Sequence, residues 1–267
     1  MTIATIGAGN MARALIGGLL ERGHPREKLL AADPDAGTRD EVADRFGIET
    51  LAVNADAAGR AGLVILAVKP QVIDKAAESI AGALNPDTIV VSVAAGTPIA
   101  RLQRRLGEDQ PIVRVMPNTP ALYGAGATGL CASAACSDEQ TKAARAVFEA
   151  VGKVFEIGDE SLMDAVTAVS GSGPAYFFVL AEALAQAGSD AGLARDVAAG
   201  LAAQTAAGAG AMLAADEFDA AELRRRVTSP GGTTEAALNA LSEAGFGDIV
   251  AHAVAAAIAR GRELGAD

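Results

Sequence analysis

Along the first half of the chain, short runs of almost wholly apolar residues alternate with stretches whose apolar positions recur at helical spacing. The apolar runs lie at residues 2–6, 29–32, 63–68, 88–93 and 112–116. They have no regularly polar face, so they predict strands covered on both sides, the arrangement of a parallel sheet between helices. Helical spacing predicts helices at 11–21, 38–46, 72–84 and 99–106. Two more strands are expected at 127–132 and 154–157, separated by a helix at 138–151. From about residue 161 no strand is expected, only helices near 161–169, 174–190, 193–213, 219–226, 232–243 and 247–264, punctuated by Gly or Pro. The pattern divides the chain into an α/β domain with a mostly parallel, doubly wound sheet over 1–158 and an all-helical domain over 159–267.

Glycines give the first domain a candidate ligand. Gly7, Ala8, Gly9, Asn10, Met11 and Ala12 follow the first strand and open the first helix, and Asp33 ends the second strand 21 residues after Ala12. Strand, turn and helix in this order form the dinucleotide fingerprint of a Rossmann-like domain. The first glycine permits the tight turn, the second lets backbone approach a pyrophosphate, and the third small residue keeps helix against sheet. A carboxylate at Asp33 would accept hydrogen bonds from the adenosine ribose and repel a 2′-phosphate, which on its own favours NADH; a loop that turns Asp33 to solvent is the alternative. Ala67, Val68, Lys69 and Pro70 end the third strand and Ala94, Ala95 and Gly96 the fourth. Both stand at the sheet edge where such folds bind ligands.

A second glycine-rich segment, Thr228-Ser229-Pro230-Gly231-Gly232-Thr233-Thr234, opens a helix of the C-terminal domain. The amides at a helix start lack intrahelical partners and attract anions. Two such sites imply a cofactor and a small acidic substrate. Pro230 also suits the first helical position after a Ser229 cap.

Composition removes other chemistries. A net charge of −11 argues against nucleic acid and anionic membranes as partners. Cys131 and Cys136 have neither a second pair nor metal-ligand spacing, so free thiols and no metal are expected. His24 and His252 lack the setting of a dehydrogenase acid–base histidine, and no lysine follows Lys153, which removes the lysine–asparagine pair of the β-hydroxyacid dehydrogenases. A start directly on a strand, and no stretch of about eighteen uninterrupted apolar residues, predict a soluble cytoplasmic protein. The helical half is rich in Ala and Gly, with small residues at helical spacing in 198–211. Helices of that kind pack closely but bury little surface alone, so a dimer at least is expected.

These motifs, joined by Met116-Pro117-Asn118-Thr119-Pro120, Asp164-Ala165-Val166-Thr167 and Ser170-Gly171-Ser172-Gly173-Pro174-Ala175-Tyr176, resemble the pyrroline-5-carboxylate reductase family over nearly the whole length. The resemblance implies reduction of 1-pyrroline-5-carboxylate to L-proline by NADPH or NADH, the last step of proline biosynthesis, and leans towards NADPH. It implies a homodimer with intertwined helical domains, in some members assembled further. By carry-over, Asn54 would touch the adenosine side of the cofactor and Thr234 the ring nitrogen of the substrate. Ser229, Gly231, Gly232 and Thr233, with Thr234, would seat the substrate carboxylate. Reduction of another small cyclic imino acid, or nucleotide binding without turnover, are the rival readings.

Overall fold

The computed structural model describes residues 1–215 and 217–266. Eight strands form one sheet: β1 (Ile3–Ile6), β2 (Leu29–Ala32), β3 (Glu49–Leu51), β4 (Leu63–Leu66), β5 (Ile89–Ser92), β6 (Ile112–Met116), β7 (Gly126–Ala132) and β8 (Gly152–Glu156). Their order is β3-β2-β1-β4-β5-β6-β7-β8. Every pairing is parallel except β6–β7, which is antiparallel. The order reverses direction at β1 and β4, the switch point beside which doubly wound sheets bind ligands. As the continuous apolar runs require, the residues of β1, β2, β4 and β5 are all buried.

Helices cover both faces: α1 (Asn10–Glu21), α2 (Ala36–Phe46), α3 (Asn54–Ala58), α4 (Ile73–Ala81), α5 (Ile99–Leu106) and α6 (Asp138–Glu149). Two separate apolar clusters result. One, around Leu15, Phe46, Ile65 and Phe148, holds α1 to its side of the sheet. The other, around Ile6, Leu66, Ile80 and Leu102, holds α4 and α5 to the opposite side. The pattern of apolar positions did not reveal β3 and α3, and the helix expected at 72–84 divides into a 3₁₀ turn, Pro70–Val72, followed by α4.

The helical half comprises α7 (Met163–Val166), a π turn (Thr167–Gly171), α8 (Gly173–Asp190), α9 (Arg195–Ala214), α10 (Ala220–Arg226), α11 (Thr233–Glu243) and α12 (Phe246–Ala266). By internal contacts the chain forms two units, one of 1–172 with 257–267 and one of 173–256. In the second unit, among the described residues, only Gly173, Ala198 and Ala202 are buried. Phe177, Phe178 and Val179 on α8 and Leu201 on α9 are more than half exposed. The helical runs Glu160–Asp190 and Arg195–Ala214 are long and apolar enough to cross a membrane by length and composition. That differs from the expectation, because Gly and Ala interrupt the run of large apolar residues without lowering its mean hydropathy below the spanning range.

Candidate active site

The first turn has the geometry its glycines predict. Gly7 donates its N–H to the Ala32 carbonyl at 2.7 Å and has φ +92°. A Cβ at Gly7 would stand 2.7 Å from the Ala67 oxygen and 3.0 Å from Val68 Cγ1. Only glycine meets both demands, and the contact shows that residues 67–68 lie directly beside the turn. Gly9 caps α1 in an extended conformation with no side-chain cap bond, and the first turn of the helix carries no acidic residue. The first helical bond runs from Arg13 N–H to the Gly9 carbonyl at 3.0 Å. The amides of Asn10, Met11 and Ala12 are thus at the positive end of the helix without intrahelical partners. A Cβ on Gly9 would meet nothing within 4 Å. Open space above unpartnered amides is the cradle a pyrophosphate requires, so these residues fit a dinucleotide.

Ala8 departs from that pattern, because its N–H goes to Asp33 Oδ2 at 3.0 Å. Asp33 Oδ1 accepts from Asp35 N–H at 3.0 Å. Asp33 therefore does not turn out to solvent to cap α2. That task falls to Asp35, which accepts from Thr38 N–H at 2.7 Å and is held below the usual carboxylate range by that bond. A carboxylate offers about four acceptor sites, so Asp33 retains lone pairs for a further donor. Arg39 folds back so that Nη1 donates to the carbonyls of Asp33 and Pro34 at 2.7 and 3.0 Å. A cation thus stands against the backbone just after β2. The signal in the sequence was an arginine one helical turn after a capping Asp35.

The other sheet-edge residues fall where strand register puts them. Ile6 pairs with Leu66 and Leu66 with Ser92, so the turns after β1, β4 and β5 emerge side by side. Lys69 is exposed and precedes the 3₁₀ turn that starts at Pro70. Ala94 is buried and its N–H lies 3.3 Å from Ser92 Oγ, while Gly96 has φ +66°. Asn54 opens α3 and donates Nδ2–H to Ser79 Oγ at 2.9 Å.

The second glycine segment belongs to the other unit. Gly232 N–H closes a turn on the Ser229 carbonyl at 3.0 Å, with Gly231 at φ +71°. Pro230 lies inside this turn and not in the helix, which begins at Thr233 with Gly232 as its cap. Gly231 N–H is already bonded, to Glu235 Oε2 at 2.8 Å. Two of the expected anion-seating amides, those of Gly231 and Gly232, are therefore engaged within the segment. With Ala236 N–H bonded to the Gly232 carbonyl at 3.2 Å, the amides of Thr233 and Thr234 remain at the helix start. Among the described residues, the Thr234 hydroxyl has no hydrogen-bond partner.

Several site-supporting residues escaped the sequence reading. Arg114, almost wholly buried within β6, pairs with Glu160 at 2.9 Å and lies 3.8 Å from Asp164. Glu160 Oε1 also accepts from Ile99 N–H at 2.8 Å, fixing the start of α5 just beyond the 94–96 turn. Asn118 donates to the Ser170 carbonyl and accepts from Ala127 N–H, both at 2.9 Å. An arginine inside an otherwise apolar strand signals buried acids, but not which ones. Both cysteines are free, and burial pushes the Cys131 thiol up, away from thiolate chemistry. Burial also lowers His24, which favours a neutral imidazole. No group of residues able to hold a metal occurs among the described residues.

A full-length relative from Pseudomonas aeruginosa, a pyrroline-5-carboxylate reductase, is 49% identical over 98% of this chain and 96% of its own. The chain belongs to the pyrroline-5-carboxylate reductase family. The profile described as pyrroline-5-carboxylate reductase dimerisation matches residues 160–264, and that described as NADP oxidoreductase, coenzyme F420-dependent, matches 2–96. The pyrroline-5-carboxylate reductase of Coxiella burnetii has a similar structure, with a TM-score of 0.94 at 36% identity over 98% of each chain. The Plasmodium falciparum pyrroline carboxylate reductase with NADP bound has a TM-score of 0.86 at 29% identity, over 99% of this chain and 98% of its own. Membership of this family makes the chain an oxidoreductase with a dimerisation region, and so an oligomer-forming subunit.

Proposed function

We propose that the chain reduces 1-pyrroline-5-carboxylate to L-proline, as the last step of proline biosynthesis, with the first glycine segment serving the cofactor and the second serving the substrate. The observation that carries this reading is the open, acid-free start of α1 above Gly9, in a chain of this family throughout its length. The amides of Asn10, Met11 and Ala12 would hold the pyrophosphate of NADPH or NADH. Asp33 and Asn54 would meet the adenosine side, and residues 67–70 and 94–96 would wall the nicotinamide side. When bound, the reduced nicotinamide supplies a hydride to a C=N carbon.

The remaining steps belong to protein groups. Thr233 and Thr234 amides at the start of α11 would hold the substrate carboxylate, with Ser229, Gly231 and Gly232 shaping the turn around it. A helix start contributes about 0.3–1 kcal/mol towards a surface anion and up to ~2 kcal/mol when partly buried. The Thr234 hydroxyl would accept the N–H of the protonated imine and so orient the ring. An aliphatic hydroxyl is too weak an acid to protonate the imine itself, so the proton comes from water before hydride addition. Residues 1–158 would act as the dinucleotide-binding domain and 159–267 as the dimerisation and substrate domain. A second copy, with helical domains intertwined, would cover the apolar faces of α8 and α9, in a soluble cytoplasmic dimer or an assembly of such dimers.

Mixing the protein with racemic 1-pyrroline-5-carboxylate and either reduced cofactor should consume the nicotinamide absorbance. No decay with NADPH or NADH would overturn the assignment. Thr234→Ala should still bind cofactor but turn over more slowly, with the deficit growing as pH rises and less imine is protonated. Kinetics unchanged across that range would remove Thr234 from the reaction.

A further inference from the structure

We propose that the last turns of α12 act as a positioning latch on the turn between β5 and α5, and thereby set how tightly the nicotinamide end of the cofactor is held. This rests on the reading that residues 94–96 wall that end. Within the first unit, the backbones of the two segments touch. A Cβ on Gly96 would stand 3.2 Å from Leu264 Cβ and 3.3 Å from Gly265 N, and one on Gly265 would stand 3.1 Å from the Gly96 oxygen. Gly96 is held at φ +66°, and the helix end occupies the space its turn would need to relax into. One helical turn earlier, on the same face of α12, a Cβ on Gly261 would stand 3.3 Å from Asp164 Oδ1.

Asp164 belongs to the Arg114–Glu160 cluster, and Glu160 grips Ile99 N–H just beyond the turn. The turn is thus held from outside at both ends, by α12 against Gly96 and by Glu160 at the start of α5. Its own side chains supply little. Ala94 and Ala95 have no polar group, and the Thr97 hydroxyl is buried without a hydrogen-bond partner. A cofactor wall with so few internal ties takes its position from what is packed behind it.

Three variants of the full enzyme test this: Gly265→Val, deletion of residues 261–267, and Glu263→Ala, whose exposed side chain pairs with Arg260. Gly265→Val and the deletion should raise both the fluorescence-measured Kd and the KM for NAD(P)H by about tenfold or more, equivalent to about 1.4 kcal/mol of lost contact with the cofactor. In both, the amides of Ala95, Gly96, Thr97 and Ile99 in the cofactor-free protein should exchange hydrogen faster, with KM for the imine unchanged. Glu263→Ala should match the wild type throughout. Activity lost only in proportion to folded protein, with cofactor Kd and amide exchange unchanged, would overturn the latch. A wild type that binds NAD(P)H but does not turn over the imine would instead overturn the proposed reaction, leaving the latch to be decided by Kd and exchange.

Discussion

Replacing Gly7 and Gly9 by alanine, one at a time, should separate folding from cofactor binding at two positions only two residues apart. At Gly7 the backbone is left-handed, φ +92°, and the new methyl would stand 2.7 Å from the Ala67 carbonyl oxygen. The left-handed conformation costs a non-glycine residue about 1–2 kcal/mol, and displacing the Ala67 carbonyl adds strain of similar size, so the sum is about 3 kcal/mol. In a chain of this size about 2–4 °C of melting temperature is lost per kcal/mol, which gives a fall of roughly 6–12 °C. At Gly9 the backbone is extended, φ −74° and ψ −168°, and the methyl meets nothing within 4 Å. The entropy gained by restricting the unfolded chain, about 0.4–1 kcal/mol, offsets the weaker helix cap, so stability should barely change. The methyl does enter the space over the helix-start amides. Losing one charge-assisted hydrogen bond there costs about 1.5–3 kcal/mol, or roughly 10–100-fold in affinity. Thermal unfolding and fluorescence titration with NADPH and NADH read the two effects separately. A Gly9→Ala protein that binds cofactor as tightly as the wild type would refute the placement of the pyrophosphate.

Asp33→Ser should raise the NADPH/NADH ratio of kcat/KM by about tenfold or more, since like charges set together cost several kcal/mol; an unchanged ratio would mean that the carboxylate does not face the ribose. Arg114→Ala strands Glu160 and Asp164 without their cation and should cost about 3 kcal/mol in urea denaturation. Removing Glu160 as well should recover part of that loss, and a double variant no better than the single would argue against the pair. Arg101, and then Arg105, hold the Asp74 carboxyl below its usual range against the opposing effect of burial. A depressed folded pKa stabilises the protein above the unfolded value of about 3.9, and this contribution is lost as pH falls through the folded value. Asp74→Asn should therefore be less stable than the wild type near neutrality and show a shallower acid decline below about pH 4; parallel acid curves would contradict the pairing.

The strands could be read from the sequence because burial on both faces leaves an uninterrupted apolar run, and the glycine turn because its residues are dictated by backbone geometry. Three-residue β3, Glu49–Leu51, carries no comparable pattern and is specified by pairing with β2. The bounds expected for α11 agree to one residue, but Pro230 serves equally well in a turn or at a first helical position, and the bond closing on Ser229 decided for the turn. Likewise, Glu235 was visible as a helix residue, but not as the internal carboxylate that takes the Gly231 amide. Arg114 was missed altogether, and even a charge inside an apolar strand does not name its partner Glu160, 46 residues away. In each case the missing information was which distant group competes for a given donor, and local composition does not carry it.

Among its described residues the second unit buries three small ones and leaves its large apolar side chains Phe177 and Phe178 uncovered in the single chain. If these helices fold only on association, folding and assembly become one equilibrium, in which protein concentration enters as a thermodynamic variable. Each tenfold dilution then removes about 1.4 kcal/mol per dimer, as a modest dose of denaturant would. The sheet, with cores on both faces, owes nothing to concentration. Dilution alone should thus distinguish the two halves of the chain, loosening the helices while the nucleotide fold stands.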